Sequence, residues 1–216
     1  MRSRSEINSL LMHLGIVAVV RTDRAEQVSA ICEALLAGGV LAVEITLTVP
    51  KAIEAIRSAG RQFGTRAIIG AGTVLDAKSC RSVIEAGAEF VVTPVNKLEI
   101  LEAAHAAERP VMLGAYTPTE AQAAHEAGAD FIKIFPADKL GPGYIRALRA
   151  PLPHLRVVPT GGVDLANAAD FFQAGCVALG VGSSLLTPQI LRASNWPELT
   201  RLAKEFAQIA SAQRKV

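Results

Sequence analysis

Residues 125–136 read HEAGADFIKIFP: a helical end, a glycine, and then a short apolar run interrupted by one lysine. The same phrase returns three more times, as LLAGGVLAVEIT (35–46), IEAGAEFVVTP (84–94) and FQAGCVALGVG (172–182). Each copy predicts a helix that stops at a glycine (Gly38, Gly87, Gly128, Gly175) in the left-handed C′ conformation, with a strand following two residues later. Between the four copies lie further apolar runs of the same length. The full series is IVAVVR (16–21), LAVEITLT (41–48), AIIGAGT (67–73), FVVTPV (90–95), VMLGAY (111–116), FIKIFP (131–136), RVVPTGG (156–162) and ALGVGSS (178–184). Alanine-rich segments with helical periodicity, such as AEQVSAICEALLAGG and DAKSCRSVIEAGA, separate them.

Eight strand–helix units in 216 residues leave about 27 residues per unit, short but sufficient for a (β/α)8 barrel. An open doubly wound sheet competes, but it rarely needs eight evenly spaced units. A repeat in every second unit is what a barrel assembled from (βα)2 pieces shows. Helix starts agree: Thr117-Pro118-Thr119-Glu120 forms a capping box with proline at the first helical position, and Pro50 and Asp164 are expected to open two more helices. No linker or shift in composition divides the chain, so a single (β/α)8 domain is expected over 1–216, preceded by a short amphipathic N-terminal helix.

Composition supports the same architecture. Half of the residues are hydrophobic, 19% are charged and 5% aromatic, with a net charge of +2. Mean hydropathy is +0.32, yet no apolar stretch approaches the ~18 residues of a spanning helix; strands buried on both faces account for it. The balanced charge, without a basic stripe and interleaved aromatics, argues against nucleic-acid binding. Arg2, Arg4, Arg214 and Lys215 are expected to be solvated. Cys32, Cys80 and Cys176 have no pairing or metal-ligand spacing and read as core filler in a reducing cytoplasm. The four histidines show no ligand spacing, so no metal is expected, and the N-terminus lacks the pattern of a signal peptide.

Polar residues inside barrel strands are the informative ones, because both faces are normally apolar. In LAVEITLT, Val43, Ile45 and Leu47 share one face and suit the helix layer; Glu44, Thr46 and Thr48 share the other and point into the mouth. In FIKIFP, Lys133 shares a face with Phe131 and Phe135. One reading is a structural Lys133–Glu44 ion pair. The other is a desolvated amine acting as a nucleophile towards carbonyls, with the carboxylate moving protons. Further polar groups end the strands at the same level: Arg21, Thr73, Thr93-Pro94, Thr160-Gly161-Gly162 and Gly182-Ser183-Ser184. The glycine turns after runs seven and eight offer backbone N–H groups to an anion. Tyr116 reads equally as wall or catalyst.

The phrases VAVVR, VEITLTVP, IGAGTV, GAYTPTE, FIKIFPA, PTGGV and LGVGSSL, in this order and spacing, resemble the bacterial 2-keto-3-deoxy-6-phosphogluconate (KDPG)/4-hydroxy-2-oxoglutarate (KHG) aldolases from about residue 15 to 188. The resemblance implies a class I aldolase on a (β/α)8 barrel, commonly a homotrimer, without metal or other cofactor, that cleaves a 2-keto-4-hydroxy acid to pyruvate and an aldehyde. It implies Lys133 as the Schiff-base lysine, Glu44 as general acid/base and Thr73 as a ligand of the pyruvyl carboxylate. Pro94 and Phe135 would wall the pocket, while Thr160, Gly161, Gly162, Gly182, Ser183 and Ser184 would take the substrate phosphate. One departure stands out. Some members carry arginine where this chain has Thr48; a related group ends its first strand on arginine, as Arg21 does here, and Arg21 is expected to supply that cation. The phosphogalactonate epimer and unphosphorylated 4-hydroxy-2-oxoglutarate are alternative substrates. A phosphate-binding barrel isomerase or synthase, and a non-enzymatic assembly subunit, are the competing classes.

Overall fold

The computed structural model describes residues 2–213, so Arg214 and Lys215 lie outside the described residues. Eight parallel strands form the sheet: β1 Ile16–Val20, β2 Ala42–Thr46, β3 Ile68–Gly72, β4 Phe90–Val92, β5 Val111–Ala115, β6 Phe131–Ile134, β7 Val157–Pro159 and β8 Leu179–Val181. They pair in the order β7-β6-β5-β4-β3-β2-β1-β8, and a parallel bridge between Thr160 and Gly180 closes the ring. Each of the eight apolar runs therefore becomes one strand of a (β/α)8 barrel. Around it pack α2 Val28–Ala37, α3 Ala52–Phe63, α4 Ala77–Glu85, α5 Leu98–His105, α6 Pro118–Glu126, α7 Gly141–Arg149 and α8 Ala168–Gln173, then α9 Pro188–Ala193 and α10 Trp196–Gln213 after the last strand.

Alternation along the strands builds two cores. Val43, Ile45, Ile132 and Ile134 belong to the outer one, against the helices. Val17, Ala42, Ile68, Phe90, Val92, Met112, Phe131, Val158 and Ala178 fill the barrel's lower interior. Inward positions balance large against small: a Cβ at Gly70 would lie 2.4 Å from the Phe90 ring, so the phenyl group occupies that space instead. The three cysteines are buried and unpaired; burial pushes the Cys32 and Cys176 thiols up to about 12.

The N-terminal helix α1, Arg4–Leu14, starts in a capping box between Ser3 and Glu6 and buries Ile7 and Leu11. Both side chains join the lower interior cluster, so α1 closes the barrel's N-terminal end; each such side chain contributes about 1.5–3 kcal/mol when fully buried. Here the expectation of solvated N-terminal arginines is overturned. Arg2 Nη1 lies 2.8 and 2.9 Å from the two Glu89 carboxylate oxygens, and the guanidinium also donates to the Ala67 and Thr65 carbonyls. Arg4 donates to Asp130 at 2.8 Å. The reason is the repeat itself: Glu89 and Asp130 are the acidic residues just before β4 and β6, so their carboxylates face the closing helix.

Two helix signals also shift. Gly38 keeps a right-handed φ of −84° at the end of α2, and Gly39 takes the left-handed turn, φ 86°. Gly38 is required for another reason: a Cβ there would lie 2.5 Å from the Ala203 Cβ of α10. Gly87, Gly128 and Gly175 are left-handed as expected. The Thr117–Glu120 capping box forms. Pro50 precedes α3 without opening it, because Lys51 is the N-cap. Asp164 instead makes a turn ahead of α8, accepting from Ala166 and Asn167 N–H.

Candidate active site

At the C-terminal mouth of the barrel lies a cavity of about 510 Å³. Its wall is built by inward residues of β1, β2 and β6 and by the turns after β1, β2, β3, β4, β6, β7 and β8. The pair at its base is Glu44 from β2 and Lys133 from β6, with Nζ 3.9 Å from Oε1 and side chains 6% and 3% exposed for Lys133 and Glu44. That separation allows attraction but is too long for a direct hydrogen bond. Glu44 Oε1 is buried and accepts no hydrogen bond among the described residues. The Lys133 ammonium position lies 5.1 Å from the centroid of the Phe135 ring.

Burial raises the Glu44 carboxyl above its ordinary value, and the nearby Lys133 and Arg21 charges only partly oppose this. The carboxylate is held against β3: a Cβ at Gly72 would fall 1.8 Å from Glu44 Oε1. Only glycine leaves that room. A second close approach occurs at Gly114, which faces Lys133 in the β5–β6 register, where a Cβ would meet the Pro94 carbonyl carbon at 2.1 Å. Gly114 thus lets the Pro94 turn lean over the mouth.

The structure brings together Arg21, Glu44, Thr48, Thr73, Pro94, Lys133, Phe135, Thr160, Gly161, Gly162, Gly182 and Ser183 around this one cavity. Thr73 holds a left-handed backbone, φ 57°, rare for a Cβ-branched residue, which is the kind of local strain found at functional turns. Gly161 and Gly162 are both left-handed, φ 92° and 70°. Ser184 is a correction. It does not line the cavity; its hydroxyl donates to the Val163 carbonyl, tying the turn after β8 to the turn after β7. Thr46 is buried and spends its hydroxyl proton on the Val20 carbonyl at 3.1 Å, so the Thr48 hydroxyl, 2.8 Å away, donates to Thr46. Thr93 exchanges hydrogen bonds with the Val95 backbone, and neither it nor Tyr116 reaches the cavity.

Three apolar wall residues escaped the sequence reading: Val19, Val163 and Leu186. The alternation in IVAVV carried the signal for Val19, which shares the inward face with Val17. Among the described residues no cluster of three or more His, Cys, Asp or Glu could hold a metal ion.

The profile of the family described as KDPG and KHG aldolase matches residues 7–202. The chain belongs to the KDPG and KHG aldolase family. It is 34% identical over 212 residues to the 2-dehydro-3-deoxy-phosphogluconate aldolase of Pseudomonas aeruginosa, covering 98% of this chain and 96% of that relative. It is 38% identical to the 2-dehydro-3-deoxy-6-phosphogalactonate aldolase of Escherichia coli K12 over 173 residues, 80% of this chain and 84% of that one. A crystal structure of KDPG aldolase from Legionella pneumophila, with pyruvate captured at low pH as a covalent carbinolamine, superimposes with a TM-score of 0.84 at 28% identity, covering 91% of this chain and 96% of the other.

Proposed function

We propose that this protein is a class I aldolase, a carbon–carbon lyase that cleaves 2-keto-3-deoxy-6-phosphogluconate to pyruvate and glyceraldehyde 3-phosphate. The observation that carries the reading is the buried Lys133–Glu44 pair, 3.9 Å apart at the base of the cavity, in a chain of this aldolase family.

The chemistry follows from the two groups. The neutral Lys133 amine attacks the C2 ketone to give a carbinolamine, and loss of water leaves a protonated imine. Glu44, directly or through a water, takes the proton of the C4 hydroxyl. The C3–C4 bond then breaks, its electrons moving onto the imine to form the enamine as glyceraldehyde 3-phosphate departs. Glu44 returns a proton to C3, and water hydrolyses the resulting imine to pyruvate and free Lys133. A carboxyl group raised by burial is suited to both halves of this cycle, since it gives and takes protons closer to neutral pH. Thr73 and Arg21 hold the pyruvyl carboxylate. The Thr160–Gly162 turn and Gly182–Ser183 receive the phosphate, while Pro94 and Phe135 wall the carbon chain.

Pyruvate plus borohydride tests the assignment: hydride reduces the imine to a stable secondary amine, and mass spectrometry of the digest is expected to place the adduct on Lys133. An adduct elsewhere, or none, overturns it. The 38% identity to a phosphogalactonate aldolase favours one second reading, the C4 epimer as substrate, and relative kcat/KM for the two epimers and for 4-hydroxy-2-oxoglutarate decides among them.

We further place the protein in the cytoplasm as a homotrimer. Buried, unpaired thiols fit a reducing compartment, and no described helix is long and apolar enough to cross a membrane. Leu75, Val95, Leu98 and Tyr116, all exposed, sit on or just after the turns following β3, β4 and β5 and supply an apolar rim for self-association. Sedimentation equilibrium reads the mass directly.

A further inference from the structure

Arg21 is exposed and makes no hydrogen bond or ion pair among the described residues; only its charge reaches Glu44, so the backbone that carries it sets where its side chain starts. That backbone is held on two sides. Before it, the Val20 carbonyl accepts the Thr46 hydroxyl at 3.1 Å. After it stands a buried polar knot. Thr22, 5% exposed, and Gln27, 6% exposed, are two of the few buried polar side chains in the molecule. Thr22 donates its hydroxyl to Gln27 Oε1 at 3.0 Å and accepts the Arg24 N–H at 3.2 Å. Gln27 Nε2 donates to the Leu191 carbonyl at 3.0 Å and to Ser194 Oγ at 3.2 Å. Arg24 also donates to the Leu191 carbonyl.

Every hydrogen-bonding atom of the Gln27 amide is used, which is what a buried amide requires to avoid a desolvation cost. The knot crosses from the turn after β1 to the end of α9, a helix that follows directly on the turn whose Gly182, Ser183 and Leu186 line the same cavity. Ser194 meets it in a left-handed conformation, φ 50°, a strained backbone sustained where surrounding structure holds it. A hydrophobic contact would have joined these segments as firmly. Directional bonds instead fix the orientation of the turn, and with it the direction in which Arg21 leaves the strand.

We propose that Thr22 and Gln27 are positioning residues that act through Arg21, aiming its side chain into the cavity that Glu44 and Lys133 share for a substrate carboxylate. This rests on the reading of Arg21 given above. The Thr48–Thr46 hydroxyl chain belongs to the same arrangement: it ends on the Val20 carbonyl, next to Arg21.

The test uses the whole chain with Thr22→Val, which replaces the hydroxyl by a methyl group, Gln27→Met and Arg21→Ala, each alone, and the first two also combined with Arg21→Ala. KM and kcat are read for pyruvate proton exchange, with a thermal melt for every variant. Arg21→Ala is expected to raise KM about 10- to 100-fold, the loss of a charged hydrogen-bond partner. Thr22→Val and Gln27→Met are expected to raise KM about three- to tenfold with kcat within about twofold, and to add nothing in the Arg21→Ala background, the signature of coupled residues. An unchanged KM in Arg21→Ala overturns the Arg21 reading and this inference together. A raised KM in Arg21→Ala with an unchanged KM in both knot variants overturns the inference alone. So does a rise that persists in the combined variants, or a lowered melting temperature with no change in KM.

Discussion

Glu44 and Lys133 stand on opposite strands of the ring: β3, β4 and β5 separate them one way, β7, β8 and β1 the other, yet Nζ and Oε1 are 3.9 Å apart. Two long side chains reaching inward from opposite walls meet above the apolar fill.

That meeting sets the pH dependence. Burial holds the Glu44 carboxyl above its ordinary value, and the proposed cleavage step needs it ionised. The acidic limb of the kcat profile is expected above the usual carboxylate range, and Glu44→Gln removes the limb while lowering kcat by about 10²- to 10⁴-fold. Stability moves the other way. A carboxyl raised on folding destabilises the native state as pH rises through the unfolded and then the folded value. Glu44→Gln therefore melts higher than wild type at neutral pH, and the difference vanishes in acid below the ordinary carboxylate value. Thermal melts across pH check the sign.

Gly72→Ala tests whether the exact seat of the carboxylate matters. A methyl group there would lie 1.8 Å from Oε1, so Glu44 must move while Lys133 stays. Displacement by about 1 Å costs roughly 10²-fold in turnover. Borohydride trapping of pyruvate is expected to survive, separating imine formation from proton transfer.

Gly182→Asp tests the phosphate end. The nearest atom to a Cβ at Gly182 is Val19 Cβ at 3.7 Å, an ordinary contact, so the side chain fits but brings a negative charge to the turn. Like charge facing a phosphate costs on the order of 3 kcal/mol, or about 100-fold in kcat/KM for the phosphorylated substrate. Pyruvate proton exchange, which involves no phosphate, is expected to be unchanged.

Asp130→Ala tests the closed end. Burial alone would raise the Asp130 carboxyl, but bonds from Arg4, Asn8, the Val111 N–H and His105 outweigh it and hold the group below its ordinary value. The stability this gives is present above the unfolded value and is lost as pH falls through the folded one. Leaving the buried Val111 N–H unpaired lowers the unfolding free energy by about 1–3 kcal/mol. Urea melts should show that loss at neutral pH and a flatter acid dependence, with KM unaltered.

The barrel and its inward lysine–glutamate pair were legible because strand alternation makes any inward polar residue conspicuous: Glu44 in AVEIT and Lys133 in FIKI cannot hide among valines and isoleucines. The strand-end turns were legible for the same reason. What stayed hidden depends on which surfaces meet. Nothing local to MRSRSEIN reveals that Arg2 and Arg4 will find Glu89 and Asp130, since the partners lie 87 and 126 residues away. Gly38 looked like a helix stop and proved to be a contact with α10, visible only once α10 is placed. Ser184 sits in a motif that suggests a ligand, but a single hydroxyl bond turns it to Val163. Periodicity reports which face a residue occupies; it does not report what stands opposite.

The helix that seals the N-terminal end with Ile7 and Leu11 has a consequence for traffic. On the proposed mechanism the barrel is a vessel with one doorway. The aldehyde must leave past the rim while the three-carbon remnant is still tethered to Lys133 at the bottom, and pyruvate, freed last, follows the same route. An aldehyde arriving early thus meets the enamine before hydrolysis is complete. Release is ordered by depth, and synthesis in the reverse direction needs no separate door.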